Sequence, residues 1–141
     1  MVKKMMDAFS LHSTLREDCH ILGNWHDTWV LLHRDAQVRW FILVPETDRT
    51  EWHELPEETR QKLALLTRTL SSYLKTELHC DKINLGLIGN LVPQLHMHVI
   101  GRWKSDPYWP GVVWGKSQPG KEYSQEQVNA FRESIKTHLG R

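Results

Sequence analysis

The chain has 141 residues and a formal net charge of +1. That length suits one domain with its own core over 1–141, and the charge balance lacks the broad basic field of a nucleic-acid binder. No run of about eighteen apolar residues is available to span a membrane, and the start, "MVKKMMDAFSLHSTLRED", has no apolar stretch long enough for a signal peptide, so a cytoplasmic protein is expected.

The first segment, Ser10 to Leu22, reads as a short helix. "WVLLHRDAQVRWFILVPE" follows as two strands, Trp29–Leu32 and Val38–Val44, joined through the polar "HRDAQ". The second of these is nearly all apolar, as expected of a strand covered on both faces, and Pro45 ends it. Pro56 suits a first helical turn, where its missing N–H costs nothing, and Glu57 and Glu58 complement the positive end of the helix dipole. Leu63, Leu66, Leu70, Tyr73 and Leu74 then recur at helical spacing, predicting a long helix through about Leu78. A strand is expected at Lys82–Leu87, then a turn at "IGN", then a strand through "VPQLHMHVIGR", Val92 to Arg102. "SDPYWPGVVWGKSQPG" is too broken for regular structure. Ser124 and Gln127 are spaced as a capping box and Gly140 as a stop, which predicts a terminal helix. Helix, hairpin, long helix, two strands and helix imply an α+β domain, an antiparallel sheet with the long helix across one face.

Two cysteines are too few for a disulfide framework. Cys19, His20, His79 and Cys80 could be imagined around one zinc ion, but adjacent side chains in extended chain diverge and the usual zinc spacings are missing. Small thiols near the core boundary are the preferred reading, and no metal or cofactor is expected. Nine histidines and seven tryptophans are many for this length. Most of the tryptophans are expected in the core or an interface, with one or two lining a ligand pocket.

The polar residues of the 92–102 strand raise the functional question. Alternation sends Leu95, Met97 and Val99 into the core and Gln94, His96 and His98 to the opposite face. Two imidazoles one strand repeat apart can hold a metal, though the motif has no carboxylate to complete the set. They can pass protons. Alternatively, one can attack as a nucleophile while the other assists the leaving group. An imidazole nitrogen both attacks phosphorus and leaves it readily, which suits two-step nucleotidyl transfer.

The stretch "NLGLIGNLVPQLHMHVIGRWKSDPYWPGVVWG" resembles the signature of the histidine triad (HIT) family, His-φ-His-φ-His-φ-φ with φ apolar. Its flanks, "GN-x-V-P" and "R…DP-x-WP…WG", are similar to a bacterial branch of that family. A weaker likeness extends back through "RWFILVPE" and the long helix. The resemblance implies a homodimer that binds a nucleotide and attacks its α-phosphate with the central histidine, here His96, through a nucleotidyl-imidazole intermediate. His98 would hydrogen-bond the phosphate or the leaving group's bridging atom, and Asn84 and Asn90 would contact phosphate or ribose, or else cap turns. Gln94 stands where the family has its first histidine; it can orient a neighbour but cannot titrate.

Arg102 is a candidate for phosphate or a partner for Asp106. Trp109 and Trp114 either stack on a base or staple the irregular segment. His12, His26, His33, His53, His79 and His138 lack motif spacing and are expected at the surface. The favoured function is a hydrolase or transferase acting on substrates such as diadenosine polyphosphates or nucleoside phosphoramidates. The alternatives are a nucleotide-binding module with little turnover, because of Gln94, and a histidine-based metal-binding protein.

Overall fold

The computed structural model describes residues 8–116 and 120–140. Positions 1–7, at the start read for a signal peptide, and positions 117–119 of the irregular segment lie outside the described residues.

Helix α1 covers Ser13–Asp18, and strands β1, β2 and β3 cover Cys19–Trp25, Thr28–His33 and Arg39–Pro45. A 3-10 turn at Trp52–Glu54 leads into the long helix α2, Glu57–Thr76. Strands β4, Lys82–Gly86, and β5, Met97–Arg102, precede the terminal helix α3, Gln125–Leu139. Among the described residues the five strands form one antiparallel sheet in the order β1-β2-β3-β5-β4.

Strand β3 sits at the centre, and from Trp40 to Pro45 every residue is buried. Its continuous apolar run is the pattern of a strand covered on both faces. On one face Phe41 and Leu43 join Val30, Leu32 and Val99 beneath α2, which contributes Leu63, Leu66, Leu70 and Leu74. Helix α3 closes the same side with Val128, Ile135 and Leu139. It starts where expected: Ser124 Oγ accepts from Gln127 N, and Ser124 N donates back to the Gln127 side chain. On the other face Trp40, Ile42, Val44 and Ile100 pack with Leu11 and Leu15 in a second cluster.

Two expected elements differ. The helix expected over Ser10–Leu22 is only six residues long, and Cys19–Trp25 is a strand paired with β2. The intervening His26 and Asp27 both have positive φ, 54° and 57°, as required at both central positions of a two-residue hairpin turn whose twist matches the strands. The strand expected from Val92 begins only at Met97, whose pairing with Leu43 is the first rung of the β3–β5 ladder. Pro93 offers no N–H to a ladder, so the preceding residues approach the sheet as loop.

The cysteines end on opposite faces, Cys19 in the second cluster and Cys80 under α2. Burial pushes the Cys19 thiol up to about 12 and the Cys80 thiol to about 11. Both are free, and the imagined Cys19, His20, His79, Cys80 set is not assembled; among the described residues no three potential ligands stand together for a metal.

Candidate active site

His98 pairs across the ladder with Ile42 of β3 and Gly86 of β4. It therefore shares the face of Ile42, Trp40 and Ile100, away from α2. His96 stands one residue before the strand, and the two rings lie edge to face with centroids 4.9 Å apart. Each is only 6% exposed, yet both border a cavity of ≈ 450 Å³. Its walls come from Leu15 of α1, Trp40 and Ile42 of β3, Asn90 and Val92 of the loop before β5, and Trp114. A smaller cavity of ≈ 180 Å³, bordered by Thr50, Glu51, Trp52 and Asn90, also reaches His96. His96 thus stands between two spaces.

The hydrogen bonds assign the ring protons. His96 Nδ1 is 2.7 Å from the Gln94 carbonyl oxygen. A carbonyl only accepts, so Nδ1 carries the proton and Nε2 keeps its lone pair. In His98 the arrangement is reversed, because the Trp40 indole Nε1–H donates to His98 Nδ1 over 3.0 Å. The indole only donates, so His98 Nδ1 is the acceptor and Nε2 holds the proton. One ring offers a lone pair and its neighbour offers an N–H.

Both rings are held neutral. Burial lowers the His96 pKa, with His12 adding to the effect and the Gln94 carbonyl opposing it. His98 is lowered to about 3 by burial, then by His96 and His33. His33 is lowered as well, burial outweighing the pull of Asp18, Asp35 and Glu122. A histidine whose folded pKa is depressed contributes stability that is present above its unfolded pKa and lost as pH falls below it. Urea unfolding at pH 7 and pH 5 is therefore expected to show a less stable protein at pH 5, with His98 taking up a proton on unfolding and His33 and His96 acting in the same direction. Equal stability at the two values would show that these rings are already protonated in the fold.

The other expected site residues divide. Asn90 borders both cavities. Arg102 borders neither and is 2% exposed. Its Nε and Nη2 donate to the two Asp106 oxygens at 2.8 and 3.0 Å, and its Nη1 donates to Asn84 Oδ1 and the Gly111 carbonyl. Of its two expected roles, the structure builds the Asp106 pair, and Asn84 is drawn into the same network. Trp109 lies against the Arg102 guanidinium, 5.6 Å from ring centroid to Cζ, and so staples the irregular segment. Trp114 instead meets His98 edge to face at 5.4 Å. Its close approach depends on Gly86, where a Cβ would fall 2.9 Å from the indole ring.

Gln94 differs most from expectation. It precedes the strand, its side chain borders neither cavity, and its amide serves the N-terminal segment. Oε1 accepts from His12 N and Nε2 donates to the Ser10 carbonyl, both over 2.9 Å. Only its backbone oxygen acts on His96. The amide clips residues 10–12 in place, and α1, which follows directly, brings Leu15 to the cavity wall. Gln94→Ala is expected to cost about 1–2 kcal/mol, from two hydrogen bonds worth about 1 kcal/mol each. Limited proteolysis should then cut within 8–15 faster than in the parent; an unchanged cleavage rate would show that the clip holds nothing.

Sequence reasoning missed His33 and Trp40. His33 was expected at the surface, but its ring stacks on Trp40 at 3.9 Å and borders the cavity. The Ile42–His98 register would have found Trp40, since Trp40 and Ile42 share one face of β3.

A family model for the HIT domain matches residues 14–105. The crystal structure of a histidine triad protein from Bradyrhizobium japonicum superposes with a TM-score of 0.86 at 38% identity, covering 94% of this chain and 98% of that one. A histidine triad protein from Marinobacter aquaeolei gives 0.86 at 41% identity, covering 94% and 96%. A hypothetical histidine triad nucleotide-binding protein from Sulfolobus tokodaii shares the fold at a TM-score of 0.61 and 20% identity, covering 89% and 87%. No curated protein matches the chain.

Proposed function

The chain belongs to the histidine triad (HIT) family, and from that premise we propose that it is a nucleotide-binding hydrolase or transferase acting at the α-phosphate of nucleoside phosphate derivatives. The observation that carries the reading is the pair of opposite tautomers, His96 with a free Nε2 lone pair and His98 with an Nε2–H, side by side at the edge of a cavity. The larger cavity has the volume of a small-molecule site, and its Trp40, Ile42, Leu15 and Trp114 walls suit a nucleoside.

His96 Nε2 attacks the α-phosphorus; an N–P bond forms and the bond to the leaving group breaks, its electron pair departing with that group. The ring then carries a positive charge, which the Gln94 carbonyl stabilises through Nδ1–H. Water attacks the same phosphorus, the N–P pair returns to Nε2, and the nucleotide is released with the water's proton passing to solvent. The His98 Nε2–H donates to the phosphate as charge builds on it.

The test is incubation with diadenosine tetraphosphate and with adenosine phosphoramidate, followed by intact-protein mass spectrometry after an acid-free quench. AMP release and a nucleotidyl adduct on His96 are expected from at least one of them. Nucleotide binding by calorimetry with neither product nor adduct would favour a binding module instead. The observation behind that alternative is Gln94, which cannot titrate and whose amide is committed to the N-terminal segment.

We further place the protein in the cytoplasm as one HIT domain and as a homodimer. Strand β4 is an edge strand, and Leu85, Leu87 and Ile88 are exposed beside it. An unpaired edge with apolar neighbours is suited to pairing with its own copy. Among the described residues no helix is long and apolar enough to cross a membrane.

A further inference from the structure

We infer that Trp40 is a positioning residue which fixes His98 as a neutral Nε2–H donor, and that the site is thereby suited to leaving groups that depart as oxyanions, phosphoanhydrides in preference to phosphoramidates. The inference rests on the nucleotidyl-transfer reading above and specifies its substrate class.

The lock is geometric. The indole of Trp40 is 5% exposed, donates to His98 Nδ1 at 3.0 Å, and is itself held flat against His33 with ring planes 9° apart. Protonating His98 would set an N–H against an N–H inside a buried contact. His98 can therefore donate a hydrogen bond through Nε2, but it is not an imidazolium with a proton to give away.

Among the described residues, no other group near the reacting atoms is arranged to supply one. The Nδ1–H of His96 is held by the Gln94 carbonyl. Gln94 does not titrate and its amide is engaged. His33 Nδ1 accepts from Asp35 N, and His12 Nδ1 accepts from Thr14 N, so each of these rings is also kept in an Nε2–H form. Asp18 borders the larger cavity and Glu51 the smaller, and neither is hydrogen-bonded to His96 or His98.

This matters because the two bond types need different help. When His96 displaces a bridging oxygen, the P–O pair leaves on a phosphate that is a stable anion without further protonation. When it displaces nitrogen, the P–N pair would leave on an amide anion unless a proton reaches the nitrogen first. A positioned general acid is typically worth about 10²–10⁴-fold. A site lacking one is therefore expected to favour diadenosine tetraphosphate over adenosine phosphoramidate by at least about 100-fold in kcat/KM.

The experiment has two parts. In protein labelled with ¹⁵N-histidine, long-range ¹H–¹⁵N spectra from pH 8 to pH 5 are expected to show His98 as one Nε2–H tautomer that does not titrate. Trp40→Phe keeps a ring but removes the donor. It should give a tautomer mixture, bring His98 titration towards the ordinary histidine range, and narrow the preference between the two substrates. Protonated Nδ1 in the parent, or titration near neutrality, overturns the lock even if the variant does not fold. A parent that turns over the phosphoramidate as fast as the anhydride overturns the leaving-group claim and leaves the proposed function standing. A parent that turns over neither overturns both.

Discussion

His96→Ala is expected to lower kcat by about 10⁴-fold or more, the scale seen when a covalent nucleophile is removed, and to abolish the nucleotidyl adduct. The variant should otherwise remain folded. It loses one ring, one hydrogen bond to the Gln94 carbonyl and a modest buried volume; a lost neutral hydrogen bond costs about 1 kcal/mol. The structure thus predicts a large kinetic effect on a small thermodynamic one. Single-turnover kinetics, adduct mass spectrometry and urea unfolding on one preparation separate the two. Turnover at the parent rate would refute the nucleophile assignment. If instead activity and folding were lost together, His96 would be a core residue that happens to border a cavity. His98→Ala should leave the adduct detectable, because it removes a donor to the phosphate and not the attacking atom.

The architecture was legible wherever one physical signal acted alone. The nearly all-apolar run Val38–Val44 announced a doubly covered strand, and the leucine spacing of 63–74 announced a helix on one face of the sheet; both are present, the strand as Arg39–Pro45. Where signals competed, reading failed. Cys19–Trp25 has only a broken alternation, interrupted by a register shift between Ile21 and Gly23, and its turn uses His26 and Asp27 in place of the usual glycine. Nothing local marks that as a hairpin. Period-two alternation placed His96 and His98 on the correct face even though the strand begins only at Met97, since the extended loop before it keeps the same sense. Gln94 was misjudged because alternation describes where a side chain starts, not what comes to meet it. Its partners, Ser10 and His12, are more than eighty positions away in sequence. The tautomers, on which the chemistry turns, depend on Trp40 meeting His98 across 58 positions. Such pairings belong to the register of the sheet.

The largest expected effect on stability lies outside the cavities. Arg102→Met should destabilise the fold by about 3–5 kcal/mol, the cost of removing one partner from a buried ion pair and leaving the other uncompensated. Asp106 is the residue left behind. Its oxygens accept from Arg102 and from the backbone N–H groups of Trp103, Tyr108 and Trp109, so one carboxylate fixes both the end of β5 and the first turns of the irregular segment. Burial alone would raise its pKa, but the bonds from Arg102, Tyr108 and Trp103 outweigh burial and lower it. A carboxylate with a depressed folded pKa contributes stability that is fully present above its unfolded pKa, near 3.8, and is lost as pH falls through the folded value. In the variant that contribution shrinks, because the strongest donor is gone. The stability gap between parent and Arg102→Met, measured by urea unfolding, is therefore expected to be widest near neutral pH and to narrow below pH 4, where protonation relieves the stranded charge. A gap that stays constant down to pH 3 would mean that the guanidinium acts through its packing against Trp109 and its bonds to Asn84 and Gly111, and not through the charge of Asp106.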